Sequence, residues 1–433
     1  MNTLTSFKLS ASPVLSRLQK KWPRIVAAFE SPWVAYALLF ILQMKLIWGM
    51  WAYREVTLGD TQSYYANSWL WVTAGKVNIA WSPAYTAFYG TFSLLNPDPI
   101  WATFAHRVAI VVTASLLVLA VLRQLLPPAI AWLGAAWWSV LPIVFDTKSE
   151  VHLFAVIPVL CVWLLLLTAR GPWRRASAIA ILGASTVLVR NELVVPFLLL
   201  GLFLLGYEFC QIRRGNVRLS RTLLAYLAMG SAAASLLLGA YKISCIKYPE
   251  LEGALASKHT LNMGQVYAYG HWQRNPEWGQ SPWIGYHGLM QEHFGKTEAT
   301  LREMVVANPR AVGEHFTWNL SLLPTGLQLL LFNRGTGKMN PDFLDMRNRL
   351  DSSDATVLTI FLLAVWIAGF IALWRNRREW WRDWFSERAL GWVGMFAVAS
   401  VVPLIVCTQH PRPCYLFAFA VFLIAITGTC LHI

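Results

Sequence analysis

The chain has 433 residues, of which 56% are hydrophobic and only 13% are charged. A soluble chain carries roughly 25% charged residues, so the composition excludes an ordinary soluble protein and predicts a membrane protein. The formal charge of +14 comes from Lys and Arg that are scattered among connecting segments, not gathered in one stripe, which argues against a nucleic-acid partner. The sequence contains no P-loop, Rossmann glycine pattern or zinc-ligand spacing.

Apolar segments long enough to cross a hydrocarbon core of about 30 Å recur along the chain. We predict an all-α polytopic membrane protein with about ten transmembrane helices and two large exoplasmic loops. The predicted spans are residues 33–53, 103–122, 129–145, 153–169, 176–190, 193–210, 222–241, 355–374, 390–407 and 415–431. The segment 311–332 is also apolar, but polar residues interrupt it, so we interpret it as an interfacial or re-entrant helix.

Basic residues orient the predicted helices. If the N-terminus is cytoplasmic, most Lys and Arg of the short connections also lie in the cytoplasm, as the positive-inside rule requires, so we predict this orientation. The short cytoplasmic connections favour the inner membrane of a bacterium over the endoplasmic reticulum. The chain then divides into a cytoplasmic basic arm (1–32), a transmembrane catalytic module (33–241) with a first outer loop (54–102), a large exoplasmic loop (242–354) and C-terminal transmembrane helices (355–433).

Ionisable residues gather at the outer ends of the predicted spans. Charge at membrane depth is costly, so its location carries information about function. Five places that are distant in sequence bring charge to one membrane face, and we expect a site where they meet. The residues are Asp60; His106 and Arg107; Asp146, Lys148, Glu150 and His152; Arg190 and Glu192; and His410 and Arg412.

Each member of this set also has a structural explanation. Asp60 could cap the helix that follows it. Glu150 could simply be a carboxylate that is stabilised by the positive end of a helix dipole. Arg190 and Glu192 are close enough in one turn to pair, and Arg412 could be a snorkelling interface residue. The convergence of five places therefore favours a functional site more than any single residue does.

Carboxylates beside cations at the outer leaflet suit the transfer of a group from a lipid-linked phosphate. Arginine side chains would hold the phosphate leaving group, bidentately where the geometry allows. A carboxylate near the acceptor hydroxyl or amine would act as general base. Inversion at a sugar carbon then needs one such base, because the phosphate leaves without protonation, whereas glycosidases need a second carboxyl group as acid.

Several short motifs occur in a fixed order along the chain. They are Gly59-Asp60 with Trp81-Ser-Pro-Ala-Tyr85, Lys148-Ser-Glu150, Val189-Arg-Asn-Glu-Leu193, Asn308-Pro-Arg310, and His410-Pro-Arg412 with Tyr415. Their order resembles that in GT-C type glycosyltransferases, the group that includes protein O-mannosyltransferases and the lipid A aminoarabinose transferase. The resemblance is strongest over residues 33–210. Asn191 stands where that group often has proline, and Asp60 lacks the second acid that many members carry.

The resemblance implies an inverting transferase on the periplasmic or luminal face. Its donor would be a polyprenyl-phosphate sugar and its acceptor a lipid, glycan or protein. Asp60 would be the catalytic base and Glu150 a second catalytic carboxylate that positions the acceptor. No obligatory cofactor is implied, and a divalent metal is not favoured. The substrate-binding residues would be Arg190 and Arg412 as phosphate clamps, with Arg107, Lys148, His410 and Glu192 in lesser roles.

Two other functions fit parts of the sequence. An O-antigen ligase or polymerase also has a large late outer loop, and its chemistry would depend on Arg274, His271 or Arg302 and leave Asp60 dispensable. A lipid or oligosaccharide transporter would explain intramembrane charge. It predicts inverted repeats and charge near the middle of the membrane, and we find no such repeat.

Overall fold

The computed structural model describes residues 29–52, 59–141, 150–168, 171–251, 253–341, 350–375 and 387–433. Every regular element in these ranges is helical. The helices are α1 (Pro32–Leu46), α2 (Gly59–Ala74), α3 (Pro83–Leu95), α4 (Pro99–Leu125), α5 (Pro128–Val140), α6 (Glu150–Leu167), α7 (Pro172–Leu188), α8 (Val194–Arg213), α9 (Leu219–Tyr241), α10 (Ala254–Arg274), α11 (Pro282–Phe294), α12 (Leu301–Ala307), α13 (Pro309–Phe332), α14 (Ser353–Arg375), α15 (Glu387–Ala399), α16 (Val402–Gln409) and α17 (Phe417–His432).

Eight helical stretches within the described ranges are long and apolar enough to cross a membrane. This is the architecture that the composition predicts for an all-α polytopic membrane protein. The two other predicted spans correspond to α5 and α7, which have 13 and 17 residues, so the count of ten stays a prediction. The eight stretches are Pro32–Gly49, Pro99–Leu125, Glu150–Leu167, Asn191–Arg213, Leu219–Ser244, Ser353–Arg375, Ala389–Gln409 and Pro413–His432.

Side-chain contacts between helix ends give the helices their relative directions. At one end of the bundle, Arg107 near the start of α4 contacts Glu150, the first residue of α6. At the other end, Arg123 near the end of α4 donates to the carbonyl of Phe29, just before α1. Arg175 near the start of α7 contacts Glu208 near the end of α8. We call the end that holds Arg107 and Glu150 the site end of the bundle.

Close packing between apolar helices forms the core, which includes the fully buried Trp138 and Trp163. Small residues let neighbouring backbones approach, as is usual where transmembrane helices meet. Gly369 of α14 is a clear case, because a Cβ atom there would lie 2.8 Å from the backbone Cα of Cys430 in α17. The packing leaves much of α9 and α14 exposed on the outside of the bundle.

The two predicted outer loops are largely helical in the structure. The first contains α2 and α3, and the second contains α10 to α13. Within the second loop, α12 occupies Leu301–Ala307. Thr300 begins it with a capping box, in which its hydroxyl accepts from the Glu303 amide while the Glu303 carboxylate accepts from the Thr300 amide.

The predicted interfacial segment 311–332 lies within α13. Near its middle, Asn319 Nδ2 donates to the Cys407 carbonyl at 2.7 Å, close to the end of α16. Just after α13 ends, Arg334 pairs with Asp354 in the first turn of α14. Trp366 of α14 donates to Thr427 of α17 (2.9 Å), and residue 369 packs on residue 430, so α14 runs parallel to α17. The chain therefore enters α14 at the site end.

A buried ion pair joins two helices at the end opposite the site. Arg175 is 2% exposed and donates to both carboxylate oxygens of Glu208, at 2.6 and 2.9 Å. Tyr226 of α9 donates to the same carboxylate at 3.1 Å, and the Arg175 guanidinium lies 5.2 Å from the Tyr207 ring centroid. This pair is fully satisfied and has a structural role, because no charge is left over to act on a ligand.

Replacing Arg175 tests that role. Arg175→Met leaves the Glu208 carboxylate buried without its cation, and we expect a loss of about 3–5 kcal/mol in the free energy of unfolding. Thermal unfolding of the purified protein in detergent measures it. Arg174→Met, at the exposed neighbouring position, is the matched control. A double variant with Glu208→Met should recover stability, and an Arg175→Met protein as stable as the control would contradict the structural assignment.

Candidate functional site

Charged and aromatic side chains from six separate parts of the chain meet at the site end of the bundle. Their geometry makes one connected group, which we call the polar centre. Five of its members, Asp60, His152, Arg190, Glu192 and Arg412, are residues that the sequence predicts for the site. The polar centre consists of Asp60, Tyr64, Trp81, His152, Arg190, Glu192, Lys258, Arg412 and Tyr415.

Arg190 lies in the middle of the polar centre. It follows α7 in extended conformation and precedes the short 3-10 turn Asn191–Leu193 that leads into α8. Its Nε donates to Glu192 Oε1 at 2.7 Å, and its Nη1 donates to His152 Nε2 at 3.1 Å. The guanidinium also lies 5.0 Å from the Tyr415 ring centroid, within cation–π range. Three helix starts, those of α6, α8 and α17, are thus tied to one side chain.

The hydrogen bond from Arg190 constrains His152. An arginine can only donate, so His152 Nε2 must accept and the ring proton must sit on Nδ1. That Nδ1 is buried, and within the described residues no acceptor lies within hydrogen-bond range of it. The His152 ring also packs edge-on against Tyr415, with ring centroids 4.7 Å apart. His152 therefore orients Arg190 and Tyr415 as a neutral ring.

Arg412 lies near the same tyrosine. Its guanidinium is 5.3 Å from the Tyr415 ring centroid. The two guanidinium carbons of Arg190 and Arg412 are consequently no more than about 10 Å apart. The short turn Pro413–Leu416 positions Tyr415 just before α17 begins. Two guanidinium groups this close can both contact one phosphate group or a diphosphate.

Asp60 lies at the edge of the polar centre, in the first turn of α2. It is exposed, and among the described residues it makes no hydrogen bond or ion pair. Its charge acts on Tyr64, one helical turn further along, and on Lys258 of α10. The carboxylate is thus close to the cations of the polar centre without being neutralised by direct contact with one of them.

Lys258 is a member of the polar centre that the sequence analysis missed. Its Nζ lies 3.3 Å from a ring centroid of Trp81 and 5.6 Å from that of Tyr64. Burial lowers the pKa of Lys258 to about 8; the Asp60 carboxylate acts in the opposite direction, and Arg190 lowers the pKa further. No motif marks this lysine, because it lies in the long loop and reaches the site only through the packing of α10.

Contacts with the first outer loop and with the Arg190 turn hold α10 in place. Asn191, beside Arg190, donates to Nε2 of His259, the neighbour of Lys258. Ahead of α10, Ser244 Oγ accepts from the Ile79 amide at 3.1 Å, and Tyr248 donates to the Ala74 carbonyl at 2.8 Å. These bonds hold the first turns of α10, which carry Lys258, next to the polar centre.

An aromatic layer forms one wall of the polar centre. The Tyr64 ring packs edge-on against Trp81 and against Tyr85, with centroids 5.0 Å apart in both cases. The turn before α3 presents Trp81 to Lys258. Ser82 in that turn has φ of 50°, a left-handed conformation that is unfavourable for a residue before proline. Strained backbone of this kind is typical of sites where a side chain must be aimed precisely.

Arg107 and Glu150 form a separate pair behind this layer. The Nε of Arg107 lies 2.6 Å from Glu150 Oε1, and the two side chains are only 3% and 11% exposed. Next to them, Tyr85 shares a 3.0 Å hydrogen bond with His106. Because the two charges neutralise each other, Glu150 is less available than Asp60 to take a proton from a substrate.

One other predicted site residue lies elsewhere, and two more are not among the described residues. His410 is buried against the long loop, with its ring centroid 5.4 Å from that of Tyr269 and 5.7 Å from that of His315. Lys148 falls outside the described residues, as does Asp146. Within the described part of the chain, no group of three or more His, Cys, Asp or Glu side chains is arranged to hold a metal ion.

Comparison with known proteins gives no match: no family model, curated protein sequence or solved structure is significantly similar to the chain. The function is therefore argued from the geometry of the polar centre.

The lowered pKa of Lys258 gives a direct test of the polar centre. A small amine-acylating reagent should modify Lys258 with a midpoint near pH 8, because its ammonium form is destabilised by burial. Asp60→Asn removes a charge that raises this pKa, so the midpoint should move to lower pH. Mass spectrometry after pulsed labelling measures the rates, with exposed Lys296 as the internal reference. An unchanged midpoint in Asp60→Asn would mean that the carboxylate does not act on Lys258.

Proposed function

We propose that this chain is a membrane glycosyltransferase that moves a sugar from a polyprenyl-phosphate donor to an acceptor on the exoplasmic face of the membrane. One observation carries the proposal: an exposed carboxylate without an ion-pair partner among the described residues, Asp60, lies beside a cluster of cations. An exposed carboxylate beside guanidinium and ammonium groups suits a reaction in which a proton and a phosphate leave in different directions.

The transfer step follows from these roles. The Asp60 carboxylate takes the proton from the acceptor hydroxyl or amine, and the acceptor atom attacks the anomeric carbon of the donor. The bond from that carbon to the phosphate oxygen breaks, and the electron pair leaves with polyprenyl phosphate. Arg190 and Arg412, with Lys258, stabilise the growing negative charge on the phosphate. Attack opposite to the leaving group inverts the configuration at the sugar carbon.

Different carboxylates would serve different purposes in this proposal. Glu192 orients Arg190 through its 2.7 Å contact, so it supports the phosphate clamp. Glu150, paired with Arg107, would position the acceptor without exchanging a proton. His410 would support the acceptor side, where it packs against the long loop. The part that Lys148 plays stays a prediction from its motif alone.

The membrane placement is also part of the proposal. The positive-inside rule favours an exoplasmic position for the site end of the bundle. The short cytoplasmic connections favour the inner membrane of a bacterium. Contacts of α13 support its interpretation as an interfacial helix rather than a span. Its middle touches α16 beside the polar centre, and its C-terminal end leads to the start of α14, which also lies at the site end.

A second function is favoured by one observation. His271 and Arg274 line a pocket in the long loop, and these are residues that an O-antigen ligase or polymerase would require. Arg302, the third residue of that interpretation, is exposed on α12 and does not line the pocket. The two functions differ in one outcome, since a ligase or polymerase of this kind would keep its activity when Asp60 is replaced.

Replacing Asp60 tests the catalytic assignment. In Asp60→Asn the amide cannot accept the proton, and we expect kcat for sugar transfer to fall by about 10²–10⁴-fold, the usual contribution of a general base. The assay uses purified protein in detergent with polyprenyl-phosphate sugars. Asp98→Asn is the matched control, because Asp98 caps α4 from the same loop and asparagine caps equally well. Full activity in Asp60→Asn would exclude the assignment.

The phosphate clamp has its own test. Arg412→Gln and Arg190→Lys each remove hydrogen bonds to a phosphate, and we expect the Kd of a non-hydrolysable phosphonate analogue of the donor to rise about 10–100-fold. Lysine at position 190 keeps a cation beside Glu192, so the protein should stay folded. Arg302→Gln serves as the reference variant. Unchanged analogue binding in both clamp variants would remove these arginines from the donor site.

A further inference from the structure

A pocket in the long loop lies apart from the polar centre. It has a volume of about 390 Å³, within the range of about 300–1,000 Å³ that small-molecule sites occupy. Its walls come from the last turns of α10, from α11 and from the first turns of α13. Tyr267, His271 and Arg274 of α10 are spaced by four and three residues, so they share one face of that helix and point to the same space.

Arg274 is the notable charge in this pocket. Its Nη1 atom is buried, and within the described residues it has no hydrogen-bond partner. Burial lowers the pKa of Arg274, and the nearby Glu314 carboxylate only partly compensates for its charge. Glu314 instead contacts Arg310 at 3.0 Å, at the exposed rim of the pocket. The inner wall therefore presents an incompletely satisfied cation, which is costly to bury unless an anion arrives.

The rest of the wall offers rings and neutral polar groups. Tyr267 hydrogen-bonds to Nδ1 of His293 at 2.6 Å, and the His271 ring lies 5.3 Å from that of His293. Asn308 lines the pocket where α13 begins, and its Oδ1 caps that helix by accepting from the Ala311 amide. The partly exposed His271 ring, beside hydroxyl, imidazole and amide groups, suits the apolar face and hydroxyl groups of a sugar.

We propose that this pocket binds a saccharide that carries an anionic group, with Arg274 contacting the anion and the His271 ring contacting the sugar. The anion is a phosphate or a carboxylate, since a guanidinium recognises both.

The pocket and the polar centre lie near opposite ends of α10. Lys258 and Arg274 are sixteen residues apart on one continuous helix, which corresponds to about 24 Å at 1.5 Å per residue. One small group cannot fill both sites. The saccharide in the pocket would accordingly be a distal part of an extended acceptor, and this last assignment, unlike the binding itself, rests on the proposed transferase function.

Direct binding tests the proposal without a sugar donor. The probes are glucose 6-phosphate, glucuronate, glucose and inorganic phosphate, titrated by microscale thermophoresis into the full chain in detergent. We expect at least one of the two anionic sugars to bind at least tenfold more tightly than both glucose and inorganic phosphate. The tighter binder of these two anionic sugars shows whether the site recognises a phosphate or a carboxylate. If glucose binds as tightly as the tighter anionic sugar, the anion requirement is overturned. If inorganic phosphate binds as tightly as that sugar, the saccharide requirement is overturned. If none of the probes binds, the whole proposal is overturned.

Variants locate the bound sugar. Arg274→Gln should raise the Kd of the tighter anionic sugar at least tenfold, whereas Arg302→Gln, exposed on the neighbouring α12, should not change it. Equal affinity in Arg274→Gln overturns the site. If Arg274→Gln fails to fold, Asn308→Asp replaces it, because aspartate keeps the helix cap and adds a repelling charge to the pocket. Unchanged binding in that variant also overturns the site.

The outcome is independent of the catalytic test. Binding that depends on Arg274 in a protein without transferase activity would keep this inference and reject the proposed function. Loss of activity in Asp60→Asn, with no saccharide binding to the wild-type protein, would keep the proposed function and reject this inference.

Discussion

The Arg190 guanidinium holds the site end of the helix bundle together. It contacts Glu192 in its own turn, donates to His152 and lies over Tyr415, so one side chain joins the starts of three helices that are far apart in sequence. Each partner is itself constrained, because His152 must stay neutral to accept the bond and the Tyr415 ring contacts both Arg190 and Arg412. If Arg190 moved, the carboxylate, the imidazole and the ring would each lose their orientation. The other polar residues are arranged around this fixed cation.

A comparison between the two ends of the bundle separates structural charge from functional charge. At the far end, Arg175 and Glu208 make two hydrogen bonds to each other and are almost completely buried. At the site end, Asp60 is exposed and, among the described residues, has no direct partner. Burying a pair costs desolvation that good geometry offsets, whereas leaving a carboxylate near cations without pairing it gives no stability. Such an arrangement is expected where a ligand completes the interactions.

The sequence predicted the helical class and much of the candidate site, and the reasons for its failures are physical. The length of apolar runs reveals spanning helices well, because a helix satisfies its backbone hydrogen bonds internally and can therefore cross the membrane as one apolar segment. Convergence of Asp60, Arg190 and Arg412 followed from helix directions alone. Lys258 could not be found in this way, because its position depends on how α10 packs over the first outer loop. The pairing of Arg107 with Glu150 could not be predicted from the sequence either, because 43 residues separate the two and only the packing of α4 against α6 brings them together.

The length of α10 constrains any reaction at this site. One end of the helix brings Lys258 to the polar centre, and the other brings Arg274 to the pocket in the long loop. A helix transmits position rigidly, so the two sites keep a fixed separation of about 24 Å along its axis. A substrate that touched both would be positioned by its far end before its reactive end met Asp60. In the proposed transferase, binding energy from the remote end would orient the reacting groups, which would raise the rate of transfer as well as the affinity.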